Sequence, residues 1–149
     1  MRIILGIVVM TLYNQIAFSQ LKHPTDKQEL KNVCAKFMDS FRLEKFQAAF
    51  DLLKPYSVIE DYKLDTIANT TKEQMKTLST SYGKIISYEE VSEKEIKNDL
   101  TQLNYLLKFQ QSFLRFSFIL YNNGSGWTVT NLKYNEEIDD LLSSPAKKP

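Results

Sequence analysis

The chain has 149 residues, a formal net charge of +1 and 43% hydrophobic residues, a balance that suits one globular domain with a true core. It carries neither the basic excess that would point to a nucleic-acid partner nor an acidic block. With one cysteine, an intramolecular disulfide is excluded.

The N-terminus has the form of an export signal. Arg2 is a minimal positive region, and Ile3 to Leu12 is an apolar run interrupted only by Gly6 and Thr11. Asn14 and Gln15 end that run, which is short for a membrane span of about 20 apolar residues. Ala17-Phe18-Ser19 then offers small residues at the two positions a signal peptidase reads. Residues 1–19 are therefore expected to be a signal peptide, cleaved between Ser19 and Gln20, which makes the protein periplasmic or secreted. Cys34 lies too far beyond the run to take a lipid, so no stable membrane anchor is expected. Residues 20–27, with Pro24 and the only histidine, His23, form a linker.

Thr25 or Asp26 is placed to cap a helix, with Glu29 as the capping-box partner of Asp26. Leu30, Val33, Cys34, Phe37 and Phe41 recur at helical spacing, which makes Cys34 a core thiol. A bend near Arg42-Leu43-Glu44 changes the phase. A second helix follows with Phe46, Ala49, Phe50 and Leu53, and Pro55 ends it. A third helix is predicted over 60–82, on the stripe Leu64, Ile67, Ala68, Thr71, Met75, Leu78 and Tyr82. Gly83 is its C-terminal cap, and Asn69-Thr70-Thr71 is a weak point where it is expected to break or kink.

From Lys84 the period turns toward two. Residues 85–95 alternate loosely and are rich in charge, as befits an edge strand. Leu103, Tyr105, Leu107 and Phe109 share one face of a second strand. Leu114, Phe116, Phe118 and Leu120 share one face of a third, with turns at 97–99 and 110–112. Asn122-Asn123-Gly124-Ser125-Gly126 is a hairpin loop. The last strand, Trp127 to Tyr134, breaks its own alternation: Trp127 and Val129 are followed by Leu132 and Tyr134. A bulge near Thr130-Asn131 would restore the parity and turn all four side chains to one core. Ile138, Leu141 and Leu142 form a short final helix, and residues 143–149 a flexible tail. The fold class is α+β: N-terminal helices packed on a curved four-stranded antiparallel sheet, within a single domain over 28–142.

With Phe46-Gln47-Ala48-Ala49-Phe50 in the helix pair, a long helix closed by Gly83, and strands ending in Gly126-Trp127-Thr128-Val129-Thr130-Asn131-Leu132-Lys133-Tyr134, the chain resembles the nuclear transport factor 2-like (cystatin-like cone) superfamily. It is most similar to small exported bacterial members with no assigned function. The resemblance implies a sheet wrapped round the helices, an internal pocket and dimers through the sheet. It does not fix the chemistry, because the superfamily includes isomerases, dehydratases, transport adaptors and plain binding modules.

Acid–base catalysts on this fold, such as those resembling ketosteroid isomerase, place a carboxylate and a tyrosine or acid donor in the pocket. Here no histidine falls within the domain, and Asp39, Asp51, Asp61 and Asp65 lie off the apolar stripes. Tyr82 and Tyr105 lie on apolar rows but have no acid clearly beside them. The adjacent acids Glu89-Glu90, Glu136-Glu137 and Asp139-Asp140 do not make a metal set, and no metal or cofactor is expected. The expected function is non-enzymatic binding of a small apolar ligand or a protein, with Phe37, Tyr82, Tyr105, Phe118 and Trp127 as candidate pocket-lining residues. An isomerase or lyase using a pocket tyrosine is the alternative. A structural homodimer is the third reading, its contact the outer sheet face where Leu106, Phe113, Ile119 and Tyr121 interrupt Asn104, Lys108, Arg115 and Ser117.

Overall fold

The computed structural model describes residues 21–143; the expected signal peptide and nearly all of the tail lie outside them. Helix α1 (Lys27–Arg42) leads into α2 (Phe46–Leu53), a 3-10 turn (Lys54–Tyr56) and the long α3 (Asp61–Tyr82). Four strands follow, β1 (Ile85–Ile96), β2 (Leu100–Phe109), β3 (Phe113–Asn122) and β4 (Trp127–Asn135), and then a four-residue helix α4 (Asp139–Leu142). The strands form one antiparallel sheet in the order β1-β2-β3-β4. The chain is α+β, with its helices followed by an open four-stranded antiparallel sheet.

Local chemistry accounts for the helix ends. The Asp26 carboxylate accepts from Gln28 N–H at 2.8 Å and caps α1. The return arm of the expected capping box is absent: Glu29 Oε1 instead accepts from the Tyr56 hydroxyl at 3.3 Å, which ties the first turn of α1 to the 3-10 turn. Between α1 and α2, Glu44 takes a φ of 59°, and the N–H groups of Glu44 and Lys45 reach back to the carbonyls of Phe41 and Ser40. Pro55 sits in the first turn of the 3-10 segment. The expected break in α3 does not occur; the helix is continuous through Asn69-Thr70-Thr71. Tertiary contact outweighs weak propensity there, since Thr71 is buried and bonded to Tyr134. Gly83 closes α3 at a φ of 77°.

The core is continuous and aromatic. Leu30, Cys34, Phe37, Met38 and Phe41 of α1 meet Phe50 of α2 and the inner rows of β2 and β3. The Phe37 ring lies between 5.1 and 6.2 Å, centroid to centroid, from Phe41, Phe50, Phe116 and Phe118. Helix α1 is also fastened to the edge strand by charge. Lys27 and Lys31, one turn apart, pair with Glu90, Glu93 and Glu95 of β1. Such partly exposed pairs contribute about 0–1 kcal/mol each, so they set orientation more than stability.

The irregular last strand is bulged at Thr130. Val129 pairs with Leu120 and Asn131 with Ile119, leaving Thr130 as the extra residue. Trp127 and Val129 are buried, and Leu132 and Tyr134 pack against the same core, so the bulge restores the inward face. Beyond β4, Ser57 bridges Val129, and the Val58 N–H donates to the Val129 carbonyl at 3.1 Å. The hairpin that opens this strand is close against the chain's N-terminal approach. Gly126 has a φ of 152°, and a Cβ there would sit 2.5 Å from the His23 carbonyl oxygen. The Trp127 N–H donates to the Pro24 carbonyl at 2.9 Å, so the expected linker is hydrogen-bonded to the domain.

The polar residues that alternation places on the outer sheet face are not all exposed. Asn104, Arg115 and Ser117 are buried, because residues 137–140 fold back over them. Arg115 Nε donates to Asn104 Oδ1 at 3.0 Å and to Ser117 Oγ at 3.1 Å, and its Nη1 donates to the Glu137 carbonyl at 3.0 Å. Both terminal nitrogens hold the Asp140 carboxylate, Nη2 at 3.1 Å from Oδ2. Asn104 Nδ2 continues the network to Ser92 Oγ at 2.8 Å. The adjacent acids Asp139 and Asp140 are therefore not equivalent: Asp140 is the counter-ion of a buried guanidinium.

Candidate functional site

Helix α3 packs chiefly on α2. Its second half and the nearby ends of β3 and β4 form the walls of a cleft of about 830 Å³, within the range of about 300–1,000 Å³ usual for small-molecule sites. Leu78, Tyr82, Leu114 and Tyr134 supply its apolar lining, while Glu73, Gln74, Asn135 and Glu136 bring polar groups, joined by Thr70 and Thr77.

Tertiary contacts fix this lining. The Tyr134 ring stacks on Phe116 at 5.1 Å. Its hydroxyl donates to Gln74 Oε1 and, having one proton, accepts from the Thr71 hydroxyl at 3.0 Å. Tyr134 thus bridges β4 to α3. Tyr82 is held edge-on against Phe109, with centroids 5.5 Å apart.

Of the five candidate lining residues, Tyr82 is in the cleft. Phe37, Tyr105, Phe118 and Trp127 lie in the packed core. Sequence reasoning missed Leu114, Gln74 and Tyr134 as wall residues. One signal was present: Thr71, a polar residue on an apolar stripe, had to find a partner when buried, and that partner is Tyr134.

Tyr105 has no hydrogen-bond partner for its buried hydroxyl. Burial above all, with the nearby Cys34 and Glu90 adding to it, holds its pKa above the ordinary tyrosine value. Burial likewise pushes the Cys34 thiol up, so it is a poor nucleophile. Tyr105→Phe removes an unsatisfied polar atom without opening a cavity. It is expected to leave stability unchanged or to raise it by about 1 kcal/mol in urea denaturation. A loss of more than about 1 kcal/mol would reveal a partner for the hydroxyl.

Tyr88, like Tyr56, is bonded to a carboxylate. Its hydroxyl donates to Asp39 Oδ1 at 2.9 Å, and burial followed by that carboxylate pushes its pKa up to about 12. Asp39 is exposed and the pair lies outside the cleft lining, so it does not form an acid–base dyad facing a ligand. Among the described residues, no cluster of three or more His, Cys, Asp or Glu could hold a metal ion, and no helix is long and apolar enough to cross a membrane.

The chain matches no protein-family model, no curated protein and no solved structure in the three comparisons made.

Proposed function

We propose that this is an exported, non-enzymatic binding module that takes a small ligand with apolar surface in the cleft between α3 and the ends of β3 and β4. The observation that carries the reading is the cleft itself, an apolar lining of Leu78, Tyr82, Leu114 and Tyr134 beside a few polar groups. The Ile3–Leu12 run followed by Ala17-Phe18-Ser19 supports export. Binding is favoured over isomerase or lyase chemistry because the Tyr134 hydroxyl is already engaged by Thr71 and Gln74. Among the described residues, the partners of the Tyr134 hydroxyl are a hydroxyl and an amide, not a carboxylate.

Nile red, an uncharged fluorophore, tests the site. The full chain is expected to brighten it saturably. Leu78→Lys, which places a charge in the lining at a half-buried position, is expected to abolish the signal while leaving the far-ultraviolet circular dichroism intact. Equal brightening by the two proteins would sink the reading.

Homodimerisation through the outer sheet face is a second reading. It is favoured by Ile96, Tyr121 and Leu142, which are 66%, 40% and 75% exposed, and by a hollow lined by Ile96, Leu100 and Ile119. Sedimentation of the full chain is expected to give a dimer that Ile96→Lys converts to monomer. A monomer at all concentrations of the unsubstituted chain would dismiss it.

A further inference from the structure

The charge of the cleft narrows what it takes. Its acidic residues are Glu73, on α3, and Glu136, just past β4, and no Lys, Arg or His lines it. Elsewhere acids are commonly matched by bases: Asp51 and Asp65 share Lys54, Glu89 pairs with Lys108, and Glu93 pairs with Lys27 and Lys31. Among the described residues, neither Glu73 nor Glu136 has an ion-pair partner. The same cleft carries two tyrosine rings, Tyr82 and Tyr134. Aromatic rings and carboxylates lining one apolar hollow suit an ammonium head, which is attracted to the rings and to the negative charge together.

We propose that the ligand is a small organic cation, with an ammonium head held by Glu73, Glu136 and the tyrosine rings and an apolar body against Leu78 and Leu114. This rests on the reading of the cleft as a binding site and adds the class of its ligand. The charge of the whole chain does not supply the preference, since the net charge is +1. Selection for a cation is therefore a property of the cleft, and it is screened by salt because the cleft is open to water.

Calorimetric titration of the full chain with octyltrimethylammonium and octyl sulfate below their micelle concentrations, and octanol below its solubility limit, tests the proposal with one tail and three head charges. Octyltrimethylammonium is expected to bind about tenfold more tightly than octyl sulfate, with octanol between them, from two partly exposed charge contacts and ring contacts. In the double variant Glu73→Gln/Glu136→Gln the cation-to-anion ratio is expected to fall to about twofold or less, with octanol affinity held. Equal binding of the three probes, or a cation preference that survives the double variant, overturns the proposal while leaving the cleft reading in place. Failure of all three to bind, with Nile red also silent, overturns both.

Discussion

Phe37→Ala is expected to destabilise the protein by about 3–5 kcal/mol, the range for truncating a fully buried aromatic side chain. The ring is 0% exposed and touches aromatic neighbours from α1, α2 and β3, so no single element can move to fill the space. Against a total stability of about 5–15 kcal/mol for an ordinary domain, that is a large share. Phe37→Leu keeps most of the volume and is expected to cost about 1–2 kcal/mol. Urea denaturation of both variants measures the difference. A loss below about 1 kcal/mol for Phe37→Ala would mean that the ring cluster is not the centre of the core. The substitution also reaches the cleft. Phe37 packs on Phe116, and Phe116 stacks on Tyr134, so Nile red brightening by the proposed site is expected to fall although Phe37 does not line it.

Arg115→Ala is expected to cost about 3 kcal/mol, through charge-assisted hydrogen bonds and the packing of a buried stem. The guanidinium joins Asn104, Ser117, the Glu137 carbonyl and Asp140, so its loss leaves α4 tied to the sheet through Lys94 and Asp140 and uncovers polar groups. Asp140→Asn keeps an oxygen acceptor and is expected to cost less. Because the two side chains share one interaction, the double variant is expected to cost less than the sum. The pH dependence has a definite sign. Its hydrogen bond with Arg115, helped by the charges of Arg115 and Lys94, holds the Asp140 carboxyl below the usual carboxylate range. A carboxyl whose pKa is lowered by folding stabilises the fold above its unfolded pKa, about 3.9 for Asp. That contribution is lost as the pH falls through the lower folded value. The stability gap between the unsubstituted chain and Asp140→Asn is therefore expected to be flat from about pH 5 to 7 and to close below about pH 4. A gap that widens as the pH falls would show that the ion pair is not its source.

Much of the fold was legible from short-range pattern. The helical stripe through Leu30, Cys34, Phe37 and Phe41, the alternating rows of β2 and β3, and the Asn-Asn-Gly-Ser-Gly loop each state their local structure, because period and turn chemistry act within a few residues. Even the Thr130 bulge was readable, since Trp127, Val129, Leu132 and Tyr134 share one face only if one residue is skipped. The candidate site was harder to read. Tyr82 was found because it lies on the α3 stripe, whereas Leu114, Gln74 and Tyr134 carry no mark that separates a cleft wall from a core wall.

By itself, the sequence determined the order of helices and strands, the faces they bury, the lack of a disulfide and the leader-like N-terminus, all consequences of composition and local spacing. Tertiary structure alone decided where α3 leaves space beside the sheet, that Tyr134 spends its hydroxyl on Thr71 and Gln74, and that Arg115 is buried under Asp140. These depend on contacts between residues 25 to 63 positions apart. A hydrophobic period says which face turns inward but not which side chain from a distant element will meet it there. The same limit separates a filled core from an open cleft: both are built from apolar residues, and only the packing of whole elements determines whether the space between them closes.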